Sequence, residues 1–338
     1  MVQMYLPLIG MAAAAFLMAW ALTGLILRIF SGAHHRAQPN ERTMHTVPTP
    51  NIGGLAIVGA LLSIGAMWVP WSHEMAVLAG CVAALALVSW LDHYRPVWPP
   101  TRFLVHGLAV AAALSLVPAE FRFVPALPVA LERIAIGIAW LWMVNLTNFI
   151  DGIDGIAATG GAMVALGYVA VLAWPFGHLS TISPAVAVAI ILAGACSGYL
   201  IWNWHPARIF MGDVGSIPLG FLLGWLMLDL AQRGHWLSAL ILPAVFVSDA
   251  TLTLFKRLLR GEKVWRAHRQ HFYQRAVQGG ATPPQVVCRT LLAHLALIAL
   301  AVLARTLPGV AIIGAVVVVV LLLAHFSELA DRKAVRVK

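Results

Sequence analysis

The sequence predicts an all-α, polytopic transmembrane helical bundle of about eleven spans, with the N-terminus outside and the C-terminus cytoplasmic. Three observations carry this. Of 338 residues, 61% are hydrophobic and only 10% are charged, with mean hydropathy +0.87, whereas a soluble domain carries about a quarter charged residues. Apolar runs near the roughly 20 residues needed to cross a hydrocarbon core recur along the whole chain. The basic residues also fall mainly on alternate loops, so that 18 of the 22 Lys and Arg lie on one side.

The first run, 4–30, is too long for a signal h-region and has no basic n-region, so it is read as a retained span. A polar stretch, 31–50, leads through His45-Thr-Val-Pro-Thr-Pro-Asn-Ile-Gly-Gly54, a rigid connector, into the span 51–70. The spans 74–91, 103–118 and 131–149 follow, the second short and the third ending in polar residues. Then come 156–176, 181–201, 216–231, 236–255, 286–304 and 309–329. Backbone polar groups in lipid must be satisfied within the segment, which makes these runs helices, and none alternates as barrel strands do. No repeat or linker interrupts the chain, so residues 1–338 read as one membrane domain.

The side rich in Lys and Arg is cytoplasmic by the positive-inside rule. It takes the loops near 31–50, 92–102, 145–155, 202–215 and 256–285. Topology and anionic headgroups account for the net charge of +9 without a nucleic-acid partner. Cys81, Cys196 and Cys288 are isolated within apolar runs and read as core residues rather than as a disulfide frame or zinc site.

Glu74, Glu120 and Glu132 read as solvated groups of the outer face. Asp92, Asp151, Asp154, Asp213 and Asp249 instead fall near the cytoplasmic ends of spans, and five carboxylates at one membrane level suggest a shared site. In Asn145-x-x-Asn148-x-x-Asp151-Gly-x-Asp154-Gly155, spacing by three brings carboxamides and carboxylates together on a helix surface. These hard oxygen donors suit magnesium, which binds a few protein groups plus substrate phosphates. In Asn203-Trp-His-Pro-Ala-Arg-Ile-Phe210-Met-Gly-Asp213-Val-Gly-Ser216, the acid stands at a helix N-terminus, whose free N–H groups favour phosphate. His268-Arg269-Gln-His271-Phe-Tyr-Gln-Arg275 is the densest basic segment and suits a diphosphate or sugar.

Together, from about Arg42 to Gln274, these motifs resemble the polyprenyl-phosphate N-acetylhexosamine-1-phosphate transferases (glycosyltransferase family 4). That family includes the peptidoglycan lipid I translocase and the initiators of O-antigen and related glycans, and the His268–Gln274 loop is closer to the latter. The resemblance implies a magnesium-dependent enzyme of the bacterial inner membrane, with manganese able to substitute. It would transfer a phospho-N-acetylsugar from a UDP-N-acetylsugar to undecaprenyl phosphate, releasing UMP and starting a lipid-linked surface glycan such as lipopolysaccharide O-antigen.

By the same resemblance Asn148 and Asp213 would hold the metal, and Asp92, Asp151 and Asp213 would be catalytic. Asp151 would face the diphosphate, while Asp154, Asn203 and Phe210 would line the uridine site. His268, Arg269 and His271 would reach the sugar or diphosphate, and Arg102 follows Asp92 by ten residues. His93 stands where the family has a second aspartate. The rival reading is a cation-coupled transporter, which would place its carboxylates at the bilayer midplane in two related halves. Oligomeric state, with a homodimer as one arrangement, and the choice of sugar stay open at this level.

Overall fold

A computed structural model describes residues 2–30, 36–37, 49–174, 182–266 and 268–336. Most of the loop 31–50, with Arg42 and His45, lies outside the described residues. The helices are α1 (Val2–Ile29), α2 (Gly54–Trp68), α3 (His73–Tyr94), α4 (Pro99–Leu114), α5 (Val129–Ile150), α6 (Ile156–Ala173) and α7 (Pro184–Asn203). They continue with α8 (Asp213–Gln232), α9 (Trp236–Ile241), α10 (Ala244–Leu259), α11 (Phe272–Gln278), α12 (Pro283–Leu303) and α13 (Pro308–Arg336). One small ladder, β1 (Arg36–Ala37) antiparallel to β2 (Thr49–Pro50), precedes α2. The chain is an all-α membrane protein.

Within the described residues each predicted apolar run is largely helical, but the runs are not equivalent. Among the described residues, eight helices (α1, α3, α5, α6, α7, α8, α12 and α13) have the length and composition to cross a membrane. The run 51–70 yields α2, of 15 residues, and the run 103–118 yields α4, of 16. The run 236–255 is broken into α9 and α10 at Pro243, whose ring nitrogen has no proton to continue the helix. The short α11 lies within a stretch read from sequence as a loop.

Position in the bundle follows composition. The helix α8 is buried along almost its whole length and packs on α5 and α3, while α7 packs on α1 and α6. Close approach of α5 and α8 depends on Gly220: a Cβ there would lie 2.8 Å from Val144 Cα and 2.9 Å from the Met143 carbonyl oxygen. Small residues at such contacts let membrane helices gain dispersion energy from backbone proximity. This approach brings the end of α5, with Asn148, beside the start of α8, with Asp213.

Two sequence expectations are corrected here. Glu132 is buried rather than solvated, because it pairs with Arg122 and accepts from the backbone N–H groups of Phe123 and Val124, organising the turn before α5. Cys288 is exposed on α12, whereas Cys81 and Cys196 are buried as expected.

Replacing Gly220 by Val is expected to cost about 1–3 kcal/mol through overpacking, seen as a lowered melting temperature in detergent. Gly65→Ala, where a Cβ meets nothing within 4 Å, is expected to leave the melting temperature unchanged.

Candidate functional site

At one end of the bundle, four helices converge on Asp213. As the first residue of α8, it follows Gly212, whose φ of +66° is a conformation that L side chains rarely adopt. The Asp213 Oδ2 atom lies 2.6 Å from Arg102 Nη2, and the other arm of that guanidinium, Nη1, lies 2.6 Å from Asp92 Oδ2. Arg102 of α4 therefore ties the end of α3 to the start of α8. The backbone N–H of Val97 donates to Asp92 Oδ1 at 2.8 Å, fixing the acid against the turn that joins α3 to α4. His93, the neighbour of Asp92, packs edge-on against Tyr94.

Asn148, in the last turn of α5, donates through Nδ2 to Asp213 Oδ1 and to Ser216 Oγ, each at 2.8 Å. Asp151 caps the same helix. Burial, then the negative charge of Asp213, push its carboxyl up to about 7, with Asp154 adding to the rise and the Gly212 backbone opposing it. Asp213 thus gathers groups from distant parts of the chain: Arg102, which also holds Asp92, Asn148 by a hydrogen bond, and Asp151 through its charge. Among the described residues no group of three His, Cys, Asp or Glu side chains is arranged to hold a metal alone. The oxygen-rich pair Asn148 and Asp213 fits an ion that takes one or two protein ligands and completes its shell from substrate phosphates.

The loop between α7 and α8 is held by a second set of contacts. Asn203 is buried, accepting from the Gly155 N–H at 3.0 Å and donating to the Ile209 carbonyl at 2.8 Å. Its carboxamide is therefore spent on backbone, and it acts by tying the α5–α6 turn to the 203–210 loop. Asp154 accepts from the Ala207 N–H at 3.1 Å and lies 2.6 Å from His205 Nδ1. The connector before α2 docks on the same loop: the Phe210 N–H donates to the Pro50 carbonyl, and Gly53 and Gly54 N–H donate to Phe210 and Met211. A Cβ on Gly54 would lie 2.1 Å from Gly215 Cα, so only glycine admits this docking. The Pro-rich motif, read from sequence as a connector, is a clamp on the segment that presents Asp213.

The basic loop closes the site from the other side. His271 is buried, with Nδ1 3.0 Å from Asp249 Oδ1, and it stacks against Phe149, Tyr273 and His268. Asp249 also accepts from the Phe272 and Tyr273 N–H groups, at 3.2 and 3.1 Å, so one buried carboxylate on α10 caps α11 and anchors His271. Tyr273 Oη donates to the Phe149 carbonyl at 2.9 Å, joining α11 to the end of α5. Burial, then His271 and Arg257, hold the His268 imidazole down at about 4, so at neutral pH it is an uncharged hydrogen-bonding group. Arg269 lines a separate basic cavity with residues of α10 and α11.

The Asp151 carboxyl binds its proton more tightly folded than at its ordinary value of 3.8. Between about pH 4 and pH 7 the folded chain therefore retains a proton that the unfolded chain has lost, and stability falls as pH rises. With divalent cations chelated, Asp151→Asn is expected to gain melting temperature relative to the wild type from about pH 5 to about pH 8. A difference independent of pH would show that the carboxyl titrates normally.

Comparison with known proteins follows this geometry. A family model described as glycosyl transferase family 4 matches residues 75–231. The chain is 27% identical over 273 residues to the probable undecaprenyl-phosphate N-acetylglucosaminyl 1-phosphate transferase of Bacillus subtilis (strain 168), covering 77% of this chain and 74% of that protein. It is 29% identical over 323 residues to the decaprenyl-phosphate N-acetylglucosaminephosphotransferase of Mycobacterium tuberculosis (strain CDC 1551 / Oshkosh), covering 83% and 78%. A phospho-N-acetylmuramoyl-pentapeptide-transferase of Mycolicibacterium vanbaalenii is 29% identical over 300 residues, with 72% and 82% covered. The family match runs from α3 to α8 and encloses Asp92, Arg102, Asn148, Asp151 and Asp213, so the similarity covers the helices that build this centre.

Proposed function

We propose that this protein transfers a phospho-N-acetylsugar from a UDP-N-acetylsugar to undecaprenyl phosphate at the cytoplasmic membrane face, releasing UMP. The observation that carries this reading is that Asp92 and Asp213 share Arg102 at one end of a membrane bundle, with Asn148 bonded to Asp213 and Asp151 in the field of that carboxylate. The names of the relatives, which act on polyprenyl phosphates, support it.

In this reaction a lipid phosphate oxygen attacks the sugar-bearing phosphorus, and the bond from that phosphorus to the bridging oxygen of UMP breaks. The attacking and leaving groups are both phosphate oxygens, so the task is positioning and charge neutralisation rather than strong base catalysis. Direct attack is favoured over an aspartyl-phosphate intermediate, because the acceptor is already ionised near neutral pH.

Arg102 is placed to exchange a carboxylate partner for a phosphate oxygen, and Asp92 holds it in register. Asn148 and Asp213 would hold magnesium, which when bound neutralises the diphosphate and the departing UMP. Asp151 would lose its proton as positive charge arrives. Asp154, presented with His205 beside Phe210, would face the uridine, while Asn203 keeps that loop in place. His268 would offer hydrogen bonds to the sugar, with His271 fixing the loop. GlcNAc and its 6-deoxy relatives FucNAc and QuiNAc are the sugars to test, and the product would start an O-antigen or related glycan.

Purified protein with magnesium, undecaprenyl phosphate and a panel of UDP-N-acetylsugars is expected to release UMP only when lipid and metal are both present. Asp213→Ala is expected to lower the rate by about 10²–10³-fold, the scale of losing one preorganised electrostatic contact. Folded protein that binds no uridine nucleotide and releases no UMP with any sugar would overturn the proposal.

A further inference from the structure

A second basic site lies behind the loop that carries His271. Lys256 and Arg260 of α10, Arg269 and Gln270 of the loop, and Arg275 and Gln278 of α11 line one cavity of about 350 Å³, within the roughly 300–1,000 Å³ usual for ligand sites. None of the carboxylates around Arg102 lines it. The two sites take different residues of α11. His271, Tyr273 and Gln274 meet Asp249, the Phe149 carbonyl and the neighbourhood of Gly152, while Phe272, Arg275 and Gln278 line the cavity.

The charge there is poorly compensated. The acid of the loop, Glu262, is taken up by buried Arg257 at 2.8 Å and reaches Arg260 only at 3.6 Å. Asp331, largely exposed, lies 3.7 Å from Arg275. The Lys256 ammonium sits 4.4 Å over the Phe272 ring, a contact that orients it without cancelling its charge. Among the described residues, Lys256, Arg260 and Arg275 thus share two partly engaged acids. The cavity also has a defined depth. Phe255, Leu258 and Leu259 are exposed on α10 beside Lys256 and Arg260, and exposed Trp265 follows in the loop. Apolar chains give way to cations within two helical turns, as at a headgroup layer.

We propose that this cavity binds the phosphate of an anionic lipid headgroup at the membrane surface, a site separate from the transferase centre and independent of the function proposed for it. Cations converging between helices supply what a phosphate needs, while the Gln270 and Gln278 carboxamides donate to Glu262 and to the Arg269 carbonyl and so fix the wall of the cavity. A soluble phosphate would meet the same chemistry.

The full-length protein in detergent is titrated with phosphatidylglycerol, phosphatidylcholine and inorganic phosphate, and retained lipid is read by native mass spectrometry. Phosphatidylglycerol is expected to be retained and phosphatidylcholine lost. Lys256→Gln with Arg275→Gln is expected to weaken retention by about fivefold for each cation, while Lys263→Gln with Arg266→Gln, equal in charge but outside the cavity, leaves it within about twofold of the wild type. Lys256→Gln with Arg260→Gln repeats the test without disturbing the Arg275–Asp331 contact. Retention that survives millimolar phosphate places the ligand in the bilayer, and competition by phosphate places its source in solution. Equal losses in cavity and control variants, no loss in either, or displacement by a UDP-sugar would overturn the proposal.

Discussion

A carboxylate at the start of a buried helix has to be compensated, and much of this molecule is arranged around that requirement. The helix α8 is enclosed nearly throughout, and Asp213 stands at its first residue. Compensation comes from Arg102 on α4 and from the carboxamide of Asn148 on α5, and the same guanidinium reaches Asp92 on α3. One negative charge therefore sets the relative positions of four helix ends. In surroundings of low polarity, such contacts are strong when satisfied and costly when one partner is missing. The convergence is thus structural and chemical at once.

Much of this was legible in the chain because lipid simplifies the pattern. Apolar length marked every helix except the short α11, and polar residues within or beside such runs are costly enough to mark a site. Asn148, Asp151 and Asp213 stood out for that reason, and the structure brings them together. What could not be read were the partners. Nothing in the spacing from Asp92 to Arg102 says that the arginine also reaches Asp213, since that depends on how α4 folds back toward α8. Glu132 looked like a surface acid because its partner Arg122 lies across a turn whose shape no periodicity encodes. The break at Pro243 was visible as a residue, but an uninterrupted apolar run concealed its effect.

The loops show a different limit. His271 was singled out as a group reaching the sugar or diphosphate, yet its ring is buried against Asp249, and the same acid caps α11. Asp249 was noticed only as a carboxylate near a helix end. The preceding turn is held by Arg257, whose guanidinium donates to Glu262 and to three loop carbonyls, those of Lys263, Val264 and Arg266. A motif dense in cations is thus divided between residues that fold the loop and residues that face a ligand. Composition alone cannot make that division. The Pro50–Gly54 segment teaches the same point, since its glycines matter through contact with Phe210, Met211 and Gly215 rather than through local flexibility.

The charge inventory of the centre connects structure to chemistry. Asp92 and Asp213 share one guanidinium and Asp151 lies in the field of Asp213, so three ionised carboxylates would leave two negative charges that Arg102 does not compensate. Burial, and then the charge of Asp213, push the Asp151 carboxyl up to about 7, so a proton there relieves part of that excess. A divalent cation would relieve it better, releasing the proton as it arrived and leaving the centre near neutrality. A diphosphate entering such a centre would bring back the negative charge, and Arg102 is the group able to turn from Asp213 toward it. The centre is one dication short of balance, and under the proposed function that deficit would favour a metal-bound diphosphate over a free anion.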